Sequence, residues 1–344
     1  SYGHFDGAGH IKIMKIQSWK LMPICSVFCG LLFIPQASLA DYLDREETQI
    51  FIDELVESES IDREWLEQLF SQAEYSQSVI DAITRPAERT LNWAEYQKIF
   101  LTDSRVERGA EFWIENADVL AEAEEEFGVP AEIILAIIGV ETFYGRYTGG
   151  YRVIDSLSTL AFDYPPRGQF FRGELRSLVL LAEKHQINPT ELTGSYAGAM
   201  GLGQFIPSSY LAYSSDYDGD GFADLWSNPA DAIWSVANYL AVHGWRRAQP
   251  IFDQVGAPEM FSEDLLNQDL APYTNIELLV SQGITDIDYP EDSSEVTLMH
   301  LVGTEGDEYW IGHHNFYVIT RYNHSHLYGM AVAQLAGQIK DRAQ

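Results

Sequence analysis

Apolar residues recur at three- and four-residue spacing along most of the chain, and that period predicts helices. Ile50, Ile52 and Leu55, then Trp65, Leu66, Leu69 and Phe70, mark apolar stripes in an otherwise acidic stretch. Over 104–127, the apolar Phe112, Trp113, Val119 and Leu120 with the polar Glu122–Glu126 predict one long helix, stopped by Gly128. Pro130 suits the first turn of the next helix, which runs to Glu141, is apolar almost all round and should therefore be buried. Between 246 and 312 the period changes. Ile276–Val280 and Val296–Val302 read as short strands punctuated by Gly and Asp. A helical pattern returns from Ser325 to Ile339. The expected architecture is mainly α (α+β): a helical domain over 41–127, a core over 128–245, a small strand-rich subdomain over 246–312, and a return to the core over 313–344.

The first forty residues follow another logic. Met14 opens a cationic stretch, Leu21–Pro35 is apolar, and Ser38-x-Ala40 fits the small-residue rule for signal peptidase. Residues 14–40 are therefore predicted to be a cleaved secretory signal, with 1–13 as added or mis-assigned sequence ahead of it. The apolar run contains Pro23 and is too short for a membrane anchor. Cys25 and Cys29 both lie in this leader, after Ile24 and Phe28, where a bacterial lipid-anchor site needs a small residue. A product starting at Asp41 would carry no cysteine, hence no disulfide, thiolate nucleophile or cysteine metal site. The expected location is periplasmic, as a soluble exported protein.

Charge narrows the function. The 344 residues hold 21 Lys+Arg against 52 Asp+Glu, a net −31, which becomes −33 without the leader. A surface so acidic argues against general nucleic-acid binding, which requires clustered cations to displace counterions. With 46% hydrophobic residues the chain is globular rather than disordered.

Three features carry chemistry. Glu141 follows Ile134, Ile137 and Ile138 at seven, four and three residues, so it shares their apolar face close to a helix end that Gly145 should set. Desolvation and the negative end of the helix dipole would both disfavour its anion and suit it to act as a general acid; a solvated glutamate paired with Arg146 is the bland alternative. Next, Gly198, Gly201 and Gly203 precede Gln204. Their G-x-x-G-x-G spacing follows no strand and precedes no lysine, so it is not a phosphate loop; it predicts backbone closely approached by a neighbour or ligand. Finally, Asp216, Asp218, Asp220 and the Phe222 carbonyl occupy positions 1, 3, 5 and 7 of a calcium-type loop. Its twelfth position is Ser227 rather than glutamate, and Asp231 could close the cage; a solvated Asp/Gly turn is the alternative.

Together these residues resemble the lytic murein transglycosylase B family. The likeness rests on Gly139-Val-Glu-Thr142 with Gly145-Arg146, Ala197-Gly-Ala-Met-Gly201, Gly203-Gln-Phe205 and Pro207-Ser-Ser-Tyr210. It continues through Asn238-Tyr239, His243-Gly-Trp245 and Asn315–Asn323, and covers roughly 105–341. The resemblance implies a lysozyme-like core over 128–245, with a calcium-type loop at 216–231. It implies cleavage of the β-1,4 bond from N-acetylmuramic acid to N-acetylglucosamine, with Glu141 as single acid and then base and a 1,6-anhydromuramoyl product. Ser195, Gln204 and Tyr239 fall on positions lining the glycan cleft, and Tyr317 and Tyr322 lie in the closing aromatic segment. Structural calcium is the implied cofactor, and no organic cofactor is expected. Peptidoglycan strands are the implied partner of a monomeric enzyme, with other wall-remodelling proteins as candidates.

One departure stands out. Where the family carries two basic residues after Asp163-Tyr-Pro165, this chain has Pro166-Arg167, leaving Arg167 alone to meet stem-peptide carboxylates. The rival readings are a muramidase-type hydrolase using water in the same cleft, and a non-catalytic wall-binding calcium module. A zinc hydrolase built on His313, His314, His324 and His326 lacks an H-E-x-x-H motif. Trp226, Trp234 and Trp245 are candidate sugar platforms, though helix-spaced tryptophans more often pack in a core.

Overall fold

The computed structural model describes residues 42–85, 91–256, 263–287 and 294–343. The leader, with Met14–Ala40 and both cysteines, lies outside the described residues. Among the described residues seven α-helices precede the first strand: α1 (Glu46–Glu59), α2 (Arg63–Phe70), α3 (Gln77–Thr84), α4 (Trp93–Phe100), α5 (Asp103–Glu115), α6 (Ala117–Phe127) and α7 (Ala131–Thr142). Then follow β1 (Tyr151–Arg152), α8 (Val153–Asp163), α9 (Gly168–His185), β2 (Thr193–Gly194), α10 (Pro207–Tyr213) and α11 (Pro229–Val242). A four-stranded sheet uses β3 (Phe252–Val255), β4 (Thr274–Asn275), β5 (Glu295–Val302) and β6 (Asp307–Gly312), with α12 (Ile276–Ser281) inserted. The chain closes with α13 (His314–Thr320) and α14 (His326–Ala343). Among the described residues no helix is long and apolar enough to cross a membrane.

The centre is α7. Every residue from Ala131 to Val140 except Glu132 is buried, which explains its uniformly apolar sequence. It packs against α14, α5, α11 and α6. The buried stripe of α14 that joins this core, Tyr328, Val332, Leu335, Ala336 and Ile339, repeats at helical spacing. The same core takes in Tyr42, Phe51, Leu55, Leu66 and Phe70, so the first helices and the centre share one apolar interior.

The sheet runs β3-β6-β5-β4, antiparallel throughout. Both of its faces are covered. Val296 and Leu298 of β5 pack with Ile276, Leu279 and Ile311, whereas Met299 and Leu301 pack with Trp93, Tyr96 and Phe316. Two-sided burial is why β5 reads as a continuous apolar run rather than an alternating one.

Three expectations need correction. The helix over 104–127 is broken into α5 and α6 at Asn116, whose backbone (φ −125°, ψ 25°) is non-helical. Its side-chain amide donates to the Phe112 carbonyl (2.8 Å), a local bond that competes with helix continuation. The expected strand over Ile276–Val280 is α12, capped by the Asn275 side chain, which accepts from the Leu278 N–H (2.8 Å). Ile276 and Leu279 form its buried face, so the apolar run was a helical i, i+3 pattern. Finally, α7 stops at Thr142, before Gly145, because Phe143 and Tyr144 themselves adopt left-handed conformations (φ 53° and 57°).

Candidate functional site

Glu141 is the penultimate residue of α7 and is half-buried, while Ile134, Ile137 and Ile138 on its face are fully buried. The turn after it is held from two sides. The Thr142 hydroxyl lies within donating distance of the Leu202 carbonyl (2.9 Å) and the Ile138 carbonyl (3.1 Å) and accepts from the Gly145 N–H (2.9 Å). Left-handed Phe143 and Tyr144 cost about 1–2 kcal/mol each. Tyr144 recovers part of that by burying its ring against Phe112, 5.6 Å between centroids. The Arg146 guanidinium lies over the rings of Phe143 (5.9 Å) and Tyr147 (5.3 Å).

The glycine-rich segment meets this turn through Leu202 and Gln204. Ser195 N–H donates to the Ala199 carbonyl (2.8 Å), and Met200 and Phe205 exchange both backbone bonds. Gln204 sits at φ 51° at its tip, and its amide donates to the Thr148 carbonyl (3.1 Å) and the Gly201 carbonyl (2.9 Å). It thereby ties this loop to the one descending from Glu141. The Ser195 hydroxyl accepts from the N–H groups of Ala197 (3.2 Å) and Ala199 (3.0 Å) and so shapes the loop.

Tyrosines close the arrangement. Tyr322 donates to the Gly203 carbonyl (2.6 Å) and Tyr239 to the Arg321 carbonyl (2.7 Å); their rings lie 4.7 Å apart. Tyr328, fully buried on α14, donates to Glu141 Oε1 at 2.7 Å and stacks parallel on Tyr322, 6.5 Å away. Burial, followed by the Glu141 charge, raises both the Tyr322 and Tyr328 hydroxyls well above their ordinary value, so both remain protonated donors at neutral pH. Burial likewise pushes Tyr239 up to about 12.

The fold thus gathers Glu141, Gln204, Tyr239 and Tyr322 through shared contacts, with Ser195 at the base of the loop. Tyr317 is on α13, under the Arg321 guanidinium (5.8 Å). Arg167 stands apart on the turn Pro165–Arg167, stacked over Phe170 (4.4 Å) and Phe171 (5.2 Å). Tyr328 escaped the sequence reading. Its available signal was a lone hydroxyl-bearing ring at the head of an apolar and small-residue helical stripe.

Asp216, Asp218 and Asp231 each offer an oxygen, all within 4.8 Å of one another. Asp231 is fully buried in the first turn of α11 and accepts from the N–H groups of Tyr217 (2.8 Å) and Asp224 (2.7 Å). Burial foremost raises its carboxyl, with the Asp218 and Asp216 charges adding to the rise. Asp216 is held below its usual range, chiefly by the Gly221 N–H. Asp220 falls outside that group, and its carboxylate accepts from the Phe222 N–H (2.9 Å). The Phe222 ring stacks on Trp226. Among the described residues His313, His314 and His326 face Asp253, the Gly244 carbonyl and the Asp269 carbonyl respectively, and with His324 they form no metal-ligand cluster. Trp245 is buried, Trp234 packs on Phe127 and Tyr217, and Trp226 donates to the Thr193 carbonyl.

Residues 44–337 match the family model described as the transglycosylase SLT domain. The chain is 41% identical over 320 residues to membrane-bound lytic murein transglycosylase B of Escherichia coli, covering 89% of this chain and 87% of that protein. It also matches the crystal structure of soluble lytic transglycosylase SltB1 from Pseudomonas aeruginosa, at 49% identity and a TM-score of 0.83. That match covers 87% of this chain and all of the other. Escherichia coli Slt35 in complex with calcium matches at 39% identity and a TM-score of 0.81, over 88% of this chain and 95% of the other.

Proposed function

The chain belongs to the transglycosylase SLT domain family and is a lytic murein transglycosylase with a lysozyme-like fold; from that premise we propose that Glu141 alone carries its acid–base chemistry. As the β-1,4 bond from N-acetylmuramic acid to N-acetylglucosamine breaks, the Glu141 carboxyl protonates the departing glycosidic oxygen. The resulting carboxylate then takes the proton of the muramoyl 6-hydroxyl, whose oxygen closes on the anomeric carbon. The product ends in 1,6-anhydromuramic acid and no water is consumed, so the pair of carboxylates that ordinary glycosidases use is not required. Ser195, Gln204, Tyr239, Tyr317 and Tyr322 are the residues proposed to line the glycan cleft, and Arg167 to meet the stem peptide. The observation that carries this reading is a single half-buried carboxyl at a fixed helix end, gripped by a neutral tyrosine hydroxyl at 2.7 Å.

Digestion of purified murein followed by mass spectrometry of the products tests it. Anhydro-ended muropeptides are expected; products heavier by one water would make the enzyme a hydrolase. Tyr328 fixes the orientation of the Glu141 carboxyl and supports its anion after the proton has left. Tyr328→Phe should lower kcat roughly tenfold with KM nearly unchanged, as for loss of a hydrogen bond to a charged group. An unchanged kcat would show that the contact only packs.

The oxygen-only donor set of Asp216, Asp218 and Asp231 fits a hard cation such as calcium, and Slt35 binds that ion. Bound there, the ion would neutralise carboxylates that otherwise repel and would tie the loop to α11, which also carries Tyr239. At a hundredfold excess over Kd, calcium should add about 2.7 kcal/mol, or roughly 5 °C of melting temperature. Asp218→Ala should abolish the rise. A wild-type melt indifferent to calcium and chelator would remove the metal. The leader over 14–40 supports export, and we place the enzyme in the periplasm.

A further inference from the structure

A groove between α2 and the C-terminal end of α9 holds none of the residues assigned above. It encloses about 710 Å³, within the roughly 300–1,000 Å³ typical of ligand clefts. Trp65, Gln68, Gln72, Glu183, Gln186 and Asn188 line it. Trp65 packs one side of its ring on the main core and remains half-exposed, and its indole N–H meets no acceptor among the described residues. The amides around it are partly fixed. Gln72 donates to the Gln68 carbonyl (3.1 Å), and Asn188 donates to Glu191 (3.1 Å) while accepting from the Thr190 N–H (3.1 Å). Among the described residues its charged lining is Asp62 and Glu183, and the Arg152 guanidinium reaches its rim, donating to the Gln72 (2.9 Å) and Thr190 (3.3 Å) carbonyls and pairing with Asp155 (3.2 Å).

An aromatic face ringed by amides is the chemistry that holds a sugar. The C–H face of the pyranose lies on the ring, while hydroxyl and acetamido groups exchange hydrogen bonds with Asn and Gln, each both donor and acceptor. Two carboxylates in the lining, with the rim guanidinium of Arg152 already paired with Asp155, disfavour the carboxylates of a stem peptide but cost an uncharged glycan nothing. A second cavity, of about 560 Å³, shares Ile187 and Asn188 with the first and continues to Trp226 and Thr193, two residues before Ser195. The two hollows thus adjoin at Ile187 and Asn188, with Trp65 in one and Trp226 in the other.

We infer that this groove is an auxiliary binding site for an uncharged N-acetylhexosamine segment, separate from the Glu141 cleft, which keeps the enzyme on its polymer between cleavages. The inference rests on the lytic transglycosylase reading only for the identity of that polymer.

The test is a titration of the Glu141→Gln protein with chitotetraose, the uncharged tetramer of N-acetylglucosamine, following the indole N–H resonances. Trp65 is assigned by its loss in Trp65→Phe. The Trp65 resonance should shift saturably, and Gln68→Ala, an exposed change that spares the core, should weaken the binding read there about fivefold. The same variant of the active enzyme should sediment less with insoluble murein yet turn over a short soluble glycan at the wild-type rate. A Trp65 resonance that stays in place, or that moves equally with a sugar-free stem peptide, overturns the inference. Wild-type enzyme that yields no anhydro product would instead overturn the catalytic reading and leave the Trp65 result interpretable.

Discussion

Glu141→Gln should abolish murein cleavage, by on the order of 10³–10⁴-fold, while the protein melts at or slightly above the wild-type temperature. The two halves of that expectation come from different features of one side chain. Glutamine keeps the volume at the end of α7 and keeps an oxygen to accept from Tyr328, which approaches Glu141 Oε1 at 2.7 Å. It also replaces an ionisable group by a neutral one at a half-buried position, and nothing in the packing is lost. What glutamine lacks is a transferable proton, and the proposed reaction needs one twice. General acid–base steps are worth roughly 10²–10⁴-fold each, and a residue serving both leaves nothing to compensate. Product analysis by mass spectrometry beside a thermal melt checks both halves. Residual activity above about a tenth of wild type, in a folded variant, would place the chemistry on another group.

Much of this site was legible because its chemistry is local in sequence. A helix apolar all round announces burial, and a carboxylate closing it invites a chemical role, so α7 and Glu141 could be read from twelve consecutive residues. The parts that could not be read depend on partners far away. Tyr328 reaches Glu141 across 187 positions, and nothing adjacent to either residue encodes the meeting. The end of α7 was misplaced for a related reason. Phe143 and Tyr144 are poor candidates for left-handed backbone by intrinsic preference, and they hold it because ring packing and the Thr142 hydroxyl over-determine the turn. The strand expected at Ile276–Val280 failed on a different count. A short apolar run is ambiguous until its buried positions are known, and here they are three apart, Ile276 and Leu279. Arg167 was singled out from its motif, and its place on the turn before α9, against two phenylalanines, follows from packing that the motif does not contain.

Gly201→Ala should be a severely damaging single-methyl change, costing about 3 kcal/mol or more and lowering activity at least a hundredfold. The small residues before Gln204 suggested a close backbone approach, and the neighbour is Leu225. A Cβ at Gly201 would overlap the Leu225 carbonyl oxygen and sit 2.7 Å from its carbonyl carbon, with the backbone at φ +68°. Left-handed backbone alone costs alanine about 1–2 kcal/mol. The overlap adds more, because the obstacle is main chain and cannot rotate away. Relief requires the two segments to part, and four bonds of the site hang on that contact. Leu202 N–H donates to the Leu225 carbonyl (2.7 Å), Thr142 reaches the Leu202 carbonyl (2.9 Å), Gln204 reaches the Gly201 carbonyl (2.9 Å) and Tyr322 the Gly203 carbonyl (2.6 Å). Shifting the loop therefore disturbs Thr142, next to Glu141, and Tyr322. Gly219→Ala supplies the control. Its φ is nearly the same, +73°, but a Cβ there meets nothing within 4 Å, so only the conformational cost of about 1–2 kcal/mol applies. Melting both variants in chelator, to keep any bound cation from masking the loss at Gly219, separates backbone strain from collision. Equal destabilisation would mean that conformation alone selects glycine at 201; a much larger loss at Gly201 would mean that the glycine is there to let the Gln204 loop lie against Leu225.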